Sequence, residues 1–433
     1  MCPLSQKASD HLQTAKQRFE ERNPKSKQQH QIATESLPGG NTRSVLHADP
    51  FPVCMARGRG NRLSDIDGHE HLDCIGDMTA GLYGHSQPVL VETITSTIGN
   101  IGMNLGATTT TEAQFANAIC QRFDSIERVA RQHTGRSKVI VFGGAYHGGL
   151  LSFAHGVAAN NVDKTDWIIG PYNDAQNARQ LILENKHVAA AVLVEGMQGA
   201  GGCIPGTADF LHAVQDAARE SGVIFILDEV MTSRLAQGGI QSVILHPMRG
   251  TPLSPDLTTL GKWIGGGLSI GAFGGRSDLM AVYDPRTSNV HHSGTFNNNT
   301  LAMNAGYKGM IAVYTPEACL ALNSLGDQLR SDLMDLAQGT KMTITGVGAV
   351  MHVHFLSTGG RNGVFSIDDL ATGADSVESV LRDLFWFYLT ERGLWIARRG
   401  MISLILGTTA AEIERMRSAV SGFLVAFREL VVL

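Results

Sequence analysis

Lys262 stands in Leu260-Gly261-Lys262-Trp263 and runs straight into Gly265-Gly266-Gly267. Thirty-four residues upstream, the apolar run Val223 to Leu227 delivers Asp228-Glu229-Val230. A carboxylate at a strand end, followed by an amine at the mouth of a glycine-rich loop, suits a cofactor that needs both groups. Pyridoxal phosphate is such a cofactor. An amine must form its Schiff base, and an acid must keep its ring nitrogen protonated so that the ring can absorb the electrons of a substrate carbanion.

Each residue has an ordinary reading as well. A strand-end acid often caps a helix or joins a salt bridge, and a lysine in a turn is usually a surface residue. Their combination at this spacing favours the chemical reading. Schiff-base exchange also needs a flexible stem that can swing aside for proton transfer, which lysine has. Val230, two residues beyond Asp228, faces the same side and could pack against the ring.

Other segments supply supporting groups. Gly143-Gly144-Ala145-Tyr146-His147-Gly148-Gly149 follows a strand, and Tyr146 could stack on a planar ligand. His147 reads equally well as a ligand or a loop residue. Gly199-Ala200-Gly201-Gly202 follows Glu195 as a strand-to-loop crossing. Ser293-Gly294-Thr295-Phe296 precedes a helix, where backbone N–H groups and a hydroxyl suit phosphate; simple capping is the alternative. Arg43 and Arg399 lie outside the strand-rich region, and a guanidinium fork suits bidentate carboxylate binding. Arg398 competes with Arg399 for that role.

These groups need elements to hold them. Residues 1 to about 36 read as a polar helical lead-in broken at Asn23-Pro24. Helical spacing covers Thr111 to Phe123. Strands are expected at Lys138 to Phe142, at Ala189 to Val194 ending in Glu195, at Val223 to Leu227 and at Leu257 to Leu260. A helix over Ala208 to Ser221, closed by Gly222, separates two of them. Buried apolar strands alternating with helices, each strand ending in a polar residue, indicate an α/β fold with a parallel sheet and its site at the carboxyl ends. From Thr315-Pro316-Glu317 the order becomes helix, strand (Met342 to Phe355), helix (Ser376 to Glu391), strand (Trp395 to Leu406) and helix. The last helix opens on the capping-box pattern Thr409-x-x-Glu412. Three regions follow: an N-terminal segment, 1–75, packing on the small domain; a large cofactor-binding domain, 76–314; and a smaller α+β domain, 315–433.

Composition excludes several classes. A net charge of -5 and the absence of a basic cluster interleaved with aromatics argue against nucleic acid as a partner. The 6 cysteines are scattered without a C-x-x-C pair, so neither a disulfide framework nor a zinc-thiolate site is expected. No apolar stretch reaches the roughly 18 residues a membrane-spanning helix needs, and Met1 to Arg22 lacks the apolar core of a secretory signal. A cytoplasmic location is expected, with no membrane partner and no metal.

Tyr146-His147-Gly148, Asp228-Glu229-Val230, Leu260-Gly261-Lys262 and Gly294-Thr295-Phe296, in this order, resemble the class III aminotransferases of fold type I. The likeness covers nearly the whole chain. Within the class it resembles glutamate-1-semialdehyde aminomutase relatives and, most closely, β-phenylalanine (β-amino acid) aminotransferases. Pro38-Gly39-Gly40-Asn41-Thr42-Arg43-Ser44, Asp228 to Arg234 and Thr295-Phe296-Asn297-Asn298-Asn299 carry that closer match. The resemblance implies a pyridoxal 5'-phosphate-dependent transferase and a homodimer with active sites at its interface. It implies Lys262 as the Schiff-base lysine, Asp228 as the partner of the ring nitrogen, Tyr146 as the stacking ring and Val230 on the opposite ring face. Thr295 would reach the phosphate of the neighbouring subunit's cofactor. Arg43 would hold the carboxylate of a β-amino acid, and Arg399 that of an acceptor such as 2-oxoglutarate.

One family feature is not found. A Ser-Gly-Thr-Glu-Ala type phosphate cup, between a strand and a helix, normally comes shortly before the Tyr-His-Gly motif. Thr111-Glu112-Ala113 is similar but opens the preceding helix, and the interval from Phe123 to Lys138 has no room for strand, cup and helix start. The cup segment is thus missing near 124–137. Anion contacts of this kind contribute about 1–3 kcal/mol each, so losing several would weaken cofactor binding by roughly two to four orders of magnitude. Either the sequence lacks a segment that the working protein has, or the chain is a degraded enzyme; the retention of Asp228, Lys262, Tyr146 and Thr295 favours the first. Three functions stay open: an aminotransferase moving the amine of a β-amino acid to a 2-oxo acid, an aminomutase moving an amine within one molecule, and a non-catalytic fold-type I protein that binds a partner.

Overall fold

Short apolar runs bounded by glycine or polar residues form the central sheet. The computed structural model describes residues 3–123, 134–153, 164–286, 294–360, 363–370, 373 and 376–433. Six strands lie side by side in the order Gly271–Gly275, Leu257–Gly261, Ile224–Asp228, Ala189–Glu195, Lys138–Phe142 and Trp167–Gly170. All pairings are parallel except that of Gly271–Gly275, which runs antiparallel to Leu257–Gly261.

Alternate side chains of these strands enter two separate cores. Ile140, Phe142, Val192, Val194, Phe225 and Leu227 pack with the helices Ala175–Glu184 and Ala208–Ser221. Val139, Val141, Ala191, Ile224 and Leu257 pack instead with Phe153 and Leu279. A strand buried on both faces has no polar alternate, which is why these segments read as continuous apolar runs. The helix Ala208–Ser221 begins where the Thr207 hydroxyl accepts the Phe210 N–H at 3.2 Å. It ends at Gly222, whose φ of 63° is the left-handed turn that glycine adopts without steric cost.

The chain divides into two compact units. The first comprises residues 1–87, 324–363 and 371–433; the second comprises 88–323 and 364–370 and contains the six-stranded sheet. In the first unit the lead-in forms two helices, Pro3–Arg22 and Pro24–Thr34, broken at Asn23. Met55–Arg59, Arg62–Asp65 and Glu70–Asp73 form an antiparallel meander, with Leu394–Trp395 added parallel to the last. Phe19, Phe51, Trp386 and Phe387 share one aromatic cluster.

Two expected strands take different forms. Met342 to Phe355 is a hairpin of Met342–Val347 and Val350–Phe355, turned where Gly346 and Gly348 take φ of 135° and 56°. The apolar neighbours of those glycines hid the turn. The expected strand Trp395 to Leu406 is split: Leu394–Trp395 joins the meander, and Met401–Ser403 pairs with Val350–Phe355. Gly400, at φ 107° and bonded from its N–H to the Ala397 carbonyl at 2.8 Å, makes the break. The closing helix Ala410–Ala426 opens on the expected box, in which Thr409 and Glu412 bond each other's backbone N–H. Among the described residues no helix is long and apolar enough to cross a membrane.

Candidate active site

Parallel register aligns the carboxyl ends of the central strands, and the polar residues that close them fall on one rim. Glu195 lies opposite Asp228, and Asp228 opposite Thr259. Lys262 begins three residues past Thr259, where Leu257–Gly261 gives way to the short turn Lys262–Gly265. Two contacts tie this turn to the aspartate strand. Trp263, fully buried, donates its indole N–H to Ser233 Oγ at 2.9 Å. A Cβ on Gly261 would touch Val230 Cγ1 at 3.4 Å, so the Val230 side chain lies against the residue that precedes Lys262.

Lys262 has a φ of 57°. A left-handed conformation costs a lysine about 1–3 kcal/mol and persists where the surroundings dictate the side chain's direction. The glycines that follow serve packing. A Cβ on Gly266 would sit 2.6 Å from the Ala305 carbonyl group, so this glycine lets the helix Thr300–Lys308 approach the lysine turn.

Asp228 is buried, and both of its oxygens are engaged. Oδ1 accepts the Val230 N–H at 2.9 Å. Oδ2 meets His147 Nδ1 at 2.6 Å. The sequence left His147 undecided between ligand and loop residue; it sits behind the carboxylate. Its loop is a small hairpin after Lys138–Phe142, with Phe153 N–H bonded to the Ala145 carbonyl at 2.8 Å and His147 N–H to that of Leu151 at 2.8 Å. Gly148, at φ 119°, makes the turn. The loop leaves the Tyr146 ring 46% exposed while burying His147.

Glu195 is the group the motif reading passed over. Its carboxylate accepts the N–H of Tyr146 at 2.9 Å and of Gly199 at 3.0 Å, fixing the tyrosine loop to the rim. Burial, with the Asp228 charge adding to it, pushes the Glu195 carboxyl up to about 7, against the opposing pull of His147 and the two N–H donors. The only sequence signal was an acid at the end of an apolar run. Glu229, next to Asp228, has a different task. It accepts from the Thr232 hydroxyl and from the N–H groups of Ile240 and Gln241, so it holds the following loop.

Burial alone would lower the His147 imidazole. The hydrogen bond and charge of Asp228, aided by Glu195, outweigh it and hold the imidazole above its ordinary 6.5. A raised native pKa means that the pair's stabilisation is whole below about pH 6.5 and is lost as pH climbs through the raised value. Replacing His147 by Asn should therefore cost the cofactor-free protein about 1–3 kcal/mol near pH 6 and distinctly less near pH 9. Thermal melts across that range check the sign, and a penalty that grows with pH would refute the assignment.

The remaining sequence expectations place as follows. Thr295 lies exposed in the turn before Thr300–Lys308. At the start of that helix Asn299 Oδ1 accepts the N–H groups of Leu301 and Ala302 at 3.1 Å each, which caps it. Residues 124–133, within the interval where no cup was found, lie outside the described residues. Thr111-Glu112-Ala113 belongs to the helix Thr110–Arg122, with Glu112 accepting the Thr109 N–H at 2.6 Å. The glycines at 144 and 201 make room for Gln198, whose amide donates to the Gly143 carbonyl at 2.8 Å.

Arg43 and Arg399 belong to the first unit. Arg43 pairs with Asp77 at 2.8 Å, both half exposed. Asp77, Met78 and Thr79 are three successive non-glycine residues at positive φ. Arg398 is committed to structure: it bonds Asp383 at 3.1 and 3.2 Å and lies over the rings of Trp386 and Phe387. Arg399 keeps donors in reserve, for its Nε is buried without an acceptor among the described residues. A cavity of about 480 Å³ in the same unit is lined by Asn41, Asp77, Trp395, Ala397 and Arg398 among others.

A buried acid at a strand end, an imidazole fixing it, a lysine at the next strand's end and an exposed ring in the loop after Lys138–Phe142 define a class. They are the groups that pyridoxal phosphate needs at its ring nitrogen, its aldehyde and its face, and the residues present fit that end of the cofactor. The family model for class III aminotransferases matches residues 116–412. The chain is 46% identical over 423 residues to an uncharacterized aminotransferase of Schizosaccharomyces pombe, covering 94% of this chain and 93% of that protein. It is 42% identical over 431 residues to the beta-phenylalanine transaminase of Variovorax paradoxus, covering 95% of each. The crystal structure of the beta-phenylalanine aminotransferase from Variovorax paradoxus superposes with a TM-score of 0.92 over 98% of this chain and 99% of that one. A solved transaminase with PLP bound, 27% identical, superposes at 0.82 over 93% of this chain and 98% of that one. This chain belongs to the class III aminotransferases, pyridoxal-phosphate-dependent transferases of fold type I.

Proposed function

We propose that the enzyme moves an amino group between a β-amino acid, of the β-phenylalanine kind, and a 2-oxo acid such as 2-oxoglutarate. The observation that carries this reading is the end-to-end likeness to the beta-phenylalanine transaminase, 42% identical over 95% of both chains. The pyridinium ring, when bound, supplies the electron sink for deprotonation next to the amine. Asp228 holds the proton on the ring nitrogen, with His147 fixing the carboxylate from behind. Lys262 provides the amine that would anchor the cofactor and, once freed, takes the proton from the amine-bearing carbon of the substrate and delivers it to the carbon that was the cofactor's aldehyde. Tyr146 would stack on the ring and Val230 would pack against it. Thr295 reaches the phosphate held by the neighbouring subunit, so the working unit is a homodimer. The enzyme acts in the cytoplasm.

Arg43 and Arg399 divide the carboxylates. Arg43 takes that of the β-amino acid, with Asp77 giving up its ion pair, a loss that costs little between half-exposed groups. Arg399 takes that of the acceptor, its buried Nε being a donor with an unmet need. Replacing Arg399 by Ala should raise the KM for 2-oxoglutarate by roughly 10–100-fold, the loss of a charge-assisted bond of about 1.5–3 kcal/mol, and change that for the amine donor much less.

The test uses ¹⁵N-labelled β-phenylalanine with 2-oxoglutarate. Label in glutamate supports transfer between molecules. Label that stays within a rearranged donor points to an aminomutase, the activity named for relatives 30% identical over 90% of this chain. A protein that binds cofactor and transfers no label to any 2-oxo acid would leave only the non-catalytic reading.

A further inference from the structure

The hairpin of Arg62–Asp65 and Glu70–Asp73 in the first unit carries a cluster that transamination does not use. Asp65 ends the first strand, Ile66-Asp67-Gly68 turns the chain, and His69 and His71 follow two residues apart. In extended chain, residues two apart share a face, and the register places His71 opposite Leu63, itself two before Asp65. All three side chains therefore project from one face. One ligand atom from each lies within 4.8 Å of the other two.

The details suit an ion. Asp65 Oδ1 is held by the N–H groups of Gly68 and His69 at 2.7 and 2.8 Å, which fixes the carboxylate plane. Oδ2 faces His69 Nδ1 at 2.8 Å and His71 Nε2 at 3.1 Å. Ligands on a tetrahedral zinc stand about 3.3 Å apart, given bonds of about 2.0–2.1 Å, so the two carboxylate–imidazole distances would open by a few tenths of an ångström while the two imidazole nitrogens, within 4.8 Å of each other, draw toward that spacing. Carboxylates that ligate a metal are themselves commonly held by such hydrogen bonds. Asp65 and His71 are buried, whereas the His69 side chain is 30% exposed, which leaves one side open to water.

We propose that Asp65, His69 and His71 bind a divalent first-row transition ion, with solvent completing the coordination on the His69 side. Imidazole and carboxylate donors suit zinc, which is the probe to use. Each imidazole proton that now points at Oδ2 moves to the other ring nitrogen, so both histidines stay neutral. His71 Nδ1 is buried without a partner, and it remains unmatched whichever nitrogen carries the proton. The ion would clamp the turn between two strands of the meander, leaving the transamination chemistry untouched.

The test is zinc titration of tag-free holoenzyme against a competing chromophoric chelator. One zinc per chain is expected, bound at least tenfold more weakly in His69→Gln and in His71→Phe. His71 is buried, so if His71→Phe does not fold, His69→Gln at the solvent edge decides alone. No stoichiometric zinc, or zinc bound equally well by the folded variants, overturns the proposal; the second result would assign the ion to other histidines on the surface. Because the readout is zinc occupancy, its failure is separate from any failure to transfer nitrogen.

Discussion

Lys262→Ala should abolish transamination, with kcat falling by at least about 10³-fold, while the protein keeps its fold. Lys262 is asked to do two things, anchor the cofactor and move the proton, and positioned proton transfer by itself is worth about 10²–10⁴-fold. The substitution also removes a side chain from a left-handed position (φ 57°), where alanine bears a similar strain, so no gain or loss of folding is expected to mask the effect. The measurement has two parts. Borohydride reduction followed by peptide mass mapping should place the cofactor on Lys262 in the natural chain and nowhere in the variant. Added small amines should restore part of the rate, since the missing group is a base that solution can supply. A variant that retains a tenth of the natural rate would refute the assignment.

Asp228→Asn should cost roughly 10²–10⁴-fold in the first half-reaction. The amide keeps the shape of the carboxylate and still accepts the Val230 N–H, which is bonded at 2.9 Å in the natural protein. What it loses is charge. Without that charge the ring nitrogen has no reason to stay protonated, and the electron sink weakens. His147 reports on the same change independently. Its imidazole is held up by Asp228 against burial, so in Asp228→Asn it should titrate below its natural position by NMR. Asp228→Glu tests geometry against charge: partial activity with a still-raised His147 would show that charge matters most. An Asn variant with unaltered His147 titration would mean that the pair does not act as described.

Much of this was legible along the chain because it depends on local rules. The strands Lys138–Phe142 and Ala189–Glu195 stand out as β-branched or alanine-rich apolar runs, and such runs are buried on both faces only in a parallel sheet. Gly222 and Thr409 mark helix ends by capping chemistry that acts within four residues. Asp228 and Lys262 stand out along the chain because their chemistry is scarce and their flanks are regular. The Met342–Phe355 hairpin escaped because Gly346 and Gly348 are embedded in apolar residues, and a turn without polar residues leaves no compositional trace.

His147, Glu195 and Arg399 show what had to wait for folding. His147 and Asp228 are 81 residues apart, and only the folding of the loop after Lys138–Phe142 over the rim of the sheet sets their atoms 2.6 Å from each other. Glu195 looked like any strand-end acid; its carboxyl is raised to about 7 because packing removes water from it, and desolvation is a property of the surroundings. Arg398 and Arg399 were equivalent as letters until Asp383, Trp386 and Phe387 engaged the first and left a donor of the second unmet. The chain alone determined the strands, the caps and the types of group at its reactive positions, since those follow from neighbours in sequence. Which polar groups meet, and which are stripped of water, was settled only by tertiary structure, because both depend on residues that approach from distant parts of the chain.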